Sequence, residues 1–247
     1  SSFTNFAMSG IDKRYMGLEL GLSVPIAWGL SLQGAVSLGD YIYTSNPEFT
    51  QMIDNSATDV VHSRVNWKGM KVESTPQTAI NVGLNFRGPN NWFASVDFNY
   101  YDRLYLSMNP MYRTEYLANE IKRIYDWNNL ETGRQKAYVV GIIDEIRQQE
   151  DLGNAYTLSA SIGKNFRIKY KYTLGFSLQV NNILNNQRIR TGGYEQMRLN
   201  KLSDPIIFPN ADGEMVITKK PTTYSRFDSK YFYMNGINYY LNIYFRF

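Results

Sequence analysis

The sequence predicts an all-β chain: an antiparallel transmembrane β-barrel segment of about seven strands with long extracellular loops. Residues Ile237 to Phe247 alternate strictly, with Ile237, Tyr239, Leu241, Ile243, Phe245 and Phe247 on one parity and Asn238, Tyr240, Asn242, Tyr244 and Arg246 on the other. A soluble fold leaves such a strand as a sticky edge, whereas an outer-membrane barrel turns one parity to lipid and the other to the lumen. Connections between segments of this kind alternate between short and long, as periplasmic turns and extracellular loops do. Composition agrees: 43% of the 247 residues are hydrophobic and 15% aromatic, yet the mean hydropathy is −0.40. No apolar run is long enough for a helical span, whereas barrel strands dilute each lipid-facing residue with a polar one.

In chain order, Leu18, Leu20, Leu22 and Val24 alternate with Glu19, Gly21 and Ser23, and a turn is expected from Pro25 to Gly29. Leu30, Leu32, Val36, Leu38 and Ile42 follow against Ser31, Gln33, Ala35, Ser37 and Gly39. Thr78, Ile80, Val82, Leu84 and Phe86 alternate with Ala79, Asn81, Gly83 and Asn85, and Arg87 to Asn91 reads as a tight turn by its Gly, Pro and Asn content. Trp92, Ala94, Val96, Phe98 and Tyr100 then alternate with Phe93, Ser95, Asp97 and Asn99. Two more runs, Tyr156 to Gly163 and Tyr172 to Asn181, precede the terminal strand. Asn165 to Lys171 is expected as a brief turn, and Thr44 to Asn66, Ser107 to Asn154 and Asn185 to Ser229 as extended loops. The C-terminus therefore belongs to the short-turn, periplasmic side, where Trp28, Phe86, Trp92, Tyr172 and Phe247 form an interfacial aromatic girdle.

The inward parity is mainly Gly, Ser, Ala and Asn, which suits a wide, water-lined or plugged barrel rather than a small one packed with side chains. Seven is also an odd count, and bacterial single-chain barrels are even. Two unpaired edges in hydrocarbon cost on the order of tens of kcal/mol, so partner strands are expected.

Several ordered blocks resemble one family. They are STPQTAINVGLNFRGPNNWFASVDFNYYD (Ser74 to Asp102), NPMYRT (Asn109 to Thr114), VNNILNN (Val180 to Asn186), TGGYEQMR (Thr191 to Arg198) and YYLNIYFRF (Tyr239 to Phe247). Together they resemble the C-terminal third of TonB-dependent outer-membrane receptors, nearest to the SusC-like subgroup that imports glycans or peptides. The resemblance implies that residues 1–247 are the C-terminal part of a 22-stranded barrel, the plug domain being absent from this stretch. It also implies bacterial outer-membrane localisation, TonB acting through the missing N-terminal part, a SusD-like surface lipoprotein as lid, and outer-membrane lipid around the wall.

The loop from Ser107 to Asn154 carries Leu117, Ile121 and Ile124, then Val139, Ile142, Ile143 and Ile146, at helical spacing. An amphipathic helical hairpin there packs either over the barrel mouth and its lid or on neighbouring loops. Tyr112, Arg113, Tyr116 and Tyr125 are candidate substrate or lid contacts, since Tyr offers flat amphipathic surface at little entropic cost. Glu195 and Arg198, three residues apart, are candidates either for ligand contact or for tying their loop to the wall. Asp102 and Arg103, with Asp97 on the lumen parity, contact plug or cargo or else form a structural pair.

A catalytic or metal site is not expected. The chain has no Cys and a single His, His62, read as a loop residue, which removes thiol nucleophiles, His-based triads and multi-His metal sites. Asn210 to Glu214 lacks the full calcium-loop pattern, and Asp212 with Gly213 reads as a hairpin turn. The net charge of +4 is too small and scattered for nucleic acid. No cofactor is expected. Nutrient import competes with two other readings: an outer-membrane barrel enzyme, and a soluble carbohydrate-binding β-sandwich with Leu20, Val36, Val82 and Phe176 in a sealed core.

Overall fold

The structure is a computed structural model that describes residues 4–53, 60–169, 171–196, 199–202, 206–209, 212–219 and 223–247. Its strands in chain order are β1 (Thr4–Ser9), β2 (Lys13–Ala27), β3 (Leu30–Tyr43), β4 (Glu48–Ile53), β5 (Val60–Arg64), β6 (Thr78–Arg87), β7 (Trp92–Asp102), β8 (Ala155–Ile168) and β9 (Tyr172–Asn181). Then come β10 (Arg190–Tyr194), β11 (Leu199–Leu202), β12 (Ile206–Pro209), β13 (Met215–Lys219), β14 (Thr223–Arg226), β15 (Lys230–Tyr233) and β16 (Asn238–Arg246). Two helices, α1 (Glu115–Ile124) and α2 (Gly133–Arg147), lie between β7 and β8.

Seven strands form one antiparallel sheet in the order β16-β9-β8-β7-β6-β3-β2, and these are the seven periodic segments of the sequence. The sheet is an open meander: β2 and β16 are its edges, and they do not pair with each other. β8 runs to Ile168, past the expected start of a turn at Asn165, because Phe166 and Ile168 keep the apolar parity and pair with Leu174 and Tyr172. The first turn is also tighter than expected. Pro25 stays in β2, and Trp28 and Gly29 alone reverse the chain with φ of 49° and 85°, the left-handed pair of a two-residue hairpin. A Cβ at Gly29 would run into the Arg87 carbonyl, so glycine is required there by both conformation and space.

Register aligns like with like across the whole sheet. One row reads Val24, Leu32, Leu84, Val96, Ala160, Val180 and Tyr239. The row beside it, on the opposite face, reads Pro25, Ser31, Asn85, Ser95, Ser161, Gln179 and Tyr240. Side chains alternate across a strand, so these rows make one face apolar and the other polar. The polar face is laced together by Asn81 Nδ2 donating to Asn99 Oδ1 at 2.9 Å and by Ser95 and Ser161 hydroxyls 2.9 Å apart. Among the described residues no second layer covers the apolar face: Leu20 is 60%, Val82 45% and Leu241 61% exposed.

The glycines of the polar face do not leave it hollow throughout. The Phe93 ring lies where a Gly163 Cβ would stand, and the Tyr244 ring lies over Gly175. Each large ring thus fills the notch left by a glycine on the neighbouring strand, which also pins the register.

The buried core lies in a tier built from the long segments at one end of the sheet. Tyr43, Phe49, Val65, Trp67, Val72 and Met108 form one cluster, and Tyr112, Leu117, Ile121, Tyr125, Val139, Ile143 and Ile146 belong to another under the helices. Burying each of the larger side chains is worth about 1.5–3 kcal/mol. Parts of the expected loops are ordered as strands: β1, β4 and β5 form a three-stranded sheet, and His62 lies in β5, its Nδ1 3.0 Å from Thr50 Oγ1, rather than in a loop. Asp212 and Gly213 stand between the paired β12 and β13, with Gly213 at φ 86°, as a hairpin turn requires.

Candidate functional site

The three long segments rise from the same end of the sheet because β3, β7 and β9 all finish there and β6, β8 and β16 all start there. They interlock through backbone pairs of long sequence separation. Asn66 N donates to the Arg113 carbonyl at 2.8 Å, Glu195 N to Ser107 O at 3.0 Å, and Ser107 N to Gly193 O at 3.4 Å. The tier is therefore one hydrogen-bonded body rather than three independent loops.

Arg113 sits at its centre. Asn109 caps a short 3₁₀ turn, Pro110–Arg113, by accepting from Met111 N at 3.0 Å, and this turn sends the Arg113 guanidinium inward. Arg113 is fully buried and makes a two-point ion pair with Glu195, Nη2 to Oε1 at 2.7 Å and Nη1 to Oε2. It also donates to the carbonyls of Asn109 at 3.1 Å and Gln148 at 2.9 Å. Arg226 joins from another segment, Nη2 reaching Glu195 Oε1 at 2.7 Å and its guanidinium lying over the Tyr112 ring. One carboxylate thus holds two guanidiniums from two loops, and Asn109 N donates to it as well, at 2.7 Å. Burial also pushes the Tyr112 phenol above its ordinary range.

Thr114 ends the turn and begins α1, its Oγ1 accepting from Leu117 N at 3.1 Å. α2 starts on a capping box: Gln135 N donates to Thr132 Oγ1 at 3.3 Å, and Thr132 N donates to Gln135 Oε1 at 3.2 Å. Both apolar stripes face the core of the tier, the outcome in which the hairpin packs on its neighbouring loops. A second polar node surrounds Glu150, which accepts from Tyr231 Oη and from Ser229 Oγ at 2.9 Å, with the Arg190 guanidinium 4.1 Å from the Tyr231 ring centroid. The hydrogen bond to Glu150 is the main reason that the Tyr231 pKa is raised, burial adding to it.

Several clefts open in the tier. One of about 480 Å³ is lined by Gln149, Glu150, Asp151, Arg226, Ser229 and Tyr231 among others. Another of about 400 Å³ lies between the helices and contains Asn66, Glu115, Asn119, Lys122, Asp144 and Arg147. Burial lowers the Arg147 pKa, and its Nε has no hydrogen-bond partner among the described atoms. The mixed amide, carboxylate and guanidinium linings are suited to hydrogen bonding. No group of three or more His, Asp or Glu side chains that could hold a metal ion occurs among the described residues.

The chain matches no family model, no curated protein and no solved structure.

Placement of the candidate residues follows from this geometry. Tyr112, Arg113, Tyr125 and Glu195 are at most 5% exposed and belong to the interior of the tier rather than to a contact surface. Tyr116 is on the outside, 42% exposed, and its backbone N donates to Ser63 Oγ at 2.9 Å. Asp102 and Arg103 form a local corner: Asp102 Oδ1 accepts from Arg103 N at 2.9 Å, and the Arg103 guanidinium donates to Thr78 Oγ1 and Gln77 O. Arg198 lies outside the described residues, and Glu195 has Arg113 and Arg226 as its partners. Asn109, Glu150, Arg226 and Tyr231 escape sequence reasoning because no local spacing links them to the groups that they meet.

Proposed function

We propose that this chain is a stretch of the wall of a TonB-dependent, SusC-like outer-membrane importer, together with an outer tier of loops that meets its cargo. The observation that carries the reading is the sheet with one uncovered apolar face, one polar face and two unpaired edges. An apolar surface of this extent marks a site of burial against membrane or partner, well beyond the patches that soluble monomers expose. The edges, β2 and β16, would pair with the remaining strands of a larger barrel, since hydrocarbon tolerates no unpaired backbone. The polar face would line the lumen and meet a plug.

Cargo would be a glycan or peptide, bound on the outer side by hydrogen-bonding groups of the tier and released inward when TonB displaces the plug. A SusD-like lipoprotein would close over the tier. The chain supplies wall and positioning, with no bond made or broken. The soluble-sandwich alternative needs Leu20 and Val82 in a sealed core, and their exposure argues against it.

The absence of native Cys makes the test direct. Single variants L20C, L241C and N81C, in intact outer membranes, are labelled with a bilayer-soluble maleimide and with a membrane-impermeant one. The first two should react only with the lipid-soluble reagent and N81C only with the aqueous one. Aqueous labelling at Leu20 and Leu241 would reject the wall assignment. Energy-dependent uptake of oligosaccharides or peptides by cells with and without the protein then tests import separately.

A further inference from the structure

The short-turn end of the sheet carries a charge pattern that the wall assignment does not explain. From the row of Val24, Leu32, Leu84, Val96, Ala160, Val180 and Tyr239 to the short turns and Phe247, the chain has six Lys or Arg and no Asp or Glu, Asp97 standing one residue beyond that row. The cations are Arg87, Lys164, Arg167, Lys169, Lys171 and Arg246. Without them the formal net charge of +4 becomes −2, so the excess positive charge of the chain is concentrated at this end.

Lys164 is the telling member. It occupies the apolar face, in a row with Trp92, Phe176 and Ile243, where an isolated ammonium among hydrophobes is costly. Its Nζ stands 4.7 Å from the Trp92 ring centroid and 4.9 Å from that of Phe166, and both rings are packed near Phe176. Lys171, in the turn just before β9, also stands beside a ring, 5.3 Å from the Tyr172 centroid. None of the six takes part in an ion pair among the described residues. Cations held over aromatic rings at the border of an apolar surface, and lacking a carboxylate, are matched in charge and height to a lipid phosphate.

We propose that this end of the sheet is a docking surface for anionic phospholipid headgroups, with Lys164 and Lys171 meeting the phosphate and Trp92, Phe166 and Tyr172 the glycerol and upper acyl chain. This rests on the membrane reading above and adds a lipid preference to it.

The test reconstitutes the intact assembly that contains this chain into nanodiscs of phosphatidylethanolamine with one phosphatidylglycerol in about three lipids, a composition chosen to offer both charges. Lipids retained after mild detergent extraction are then quantified by mass spectrometry. The expected result is enrichment of phosphatidylglycerol over its bulk share, weakened by salt. K164Q/K171Q should reduce the enrichment, by up to about five-fold for each cation removed. K68Q, a control at the opposite end, should leave it unchanged. Incorporation without enrichment, enrichment indifferent to both K164Q/K171Q and salt, or loss to inorganic phosphate alone overturns the proposal while the wall assignment stands. Failure to enter the discs at all rejects both. The salt series on the unaltered protein keeps the test decisive if the double variant does not fold.

Discussion

Arg113 and Glu195, 82 residues apart in the chain, form a two-point ion pair whose side chains are 0% and 1% exposed. Attraction inside a protein offsets the desolvation of two charges only when the geometry is good and the remaining donors are satisfied; the carbonyls of Asn109 and Gln148 take up the Nη donors, while the buried Arg113 Nε has no partner among the described atoms. Removing one partner leaves the other charge buried. Glu195→Ala should therefore cost about 3–5 kcal/mol of local stability. The check is hydrogen exchange at the amides of Ser107 and Glu195, which pair the two loops. Replacing the whole triad, R113M/E195L/R226M, should recover much of the loss, because no uncompensated charge remains.

On the polar face, Gly163→Ala and Gly175→Ala should destabilise the sheet by about 1–3 kcal/mol each, the usual scale of overpacking. At Gly163 the new Cβ would meet not only the Phe93 ring but also the Phe176 carbonyl at 2.6 Å, and backbone cannot swing aside. Gly21→Ala is the internal comparison, since nothing lies within 4 Å of its Cβ position. Thermal denaturation followed by gel mobility of unheated and heated samples should rank G163A well below G21A.

The tier should also loosen in alkali. Tyr105, Tyr112 and Tyr231 all have pKa values raised above the ordinary phenol range, by burial for the first two and by the Glu150 hydrogen bond for the third. A raised folded pKa means that the folded state holds its proton more tightly. Their contribution is complete below about pH 10 and is lost as pH climbs through the folded values. Ultraviolet titration of tyrosinate should reveal a late-ionising set, and Tyr231→Phe should remove one member.

Helix α2 depends on its capping box. Thr132→Ala removes the acceptor for Gln135 N and should cost about 1 kcal/mol. The signature is faster exchange of the first amides of α2, with the Arg113 node unaffected. Loss of protection across both regions would instead show that the tier unfolds as a single unit.

The seven strands of the large sheet were readable because each carries its own period-two code, and the code needs no knowledge of neighbours. Leu18 to Val24 and Ile237 to Phe247 announce both parities within a few residues. Strand ends were less legible. Phe166 and Ile168 extend β8 beyond the turn expected from Asn165, because a lysine over Trp92 is accommodated at the rim of an apolar face. The helices of the long segment between β7 and β8 were visible through their apolar spacing, although the burial of Tyr112 and Tyr125 was not. An aromatic reads the same in sequence whether it faces a ligand or a core.

The amino-acid sequence by itself determined the seven strands of the large sheet, its two faces and the separation of short from long connections, since all three rest on local periodicity and turn chemistry. Tertiary structure alone decided that the long segments form one body, that Glu195 answers Arg113 and Arg226, and that Phe93 and Tyr244 fill the notches at Gly163 and Gly175. Those pairings are set by three-dimensional proximity between residues far apart in the chain. A local pattern has no means of recording them.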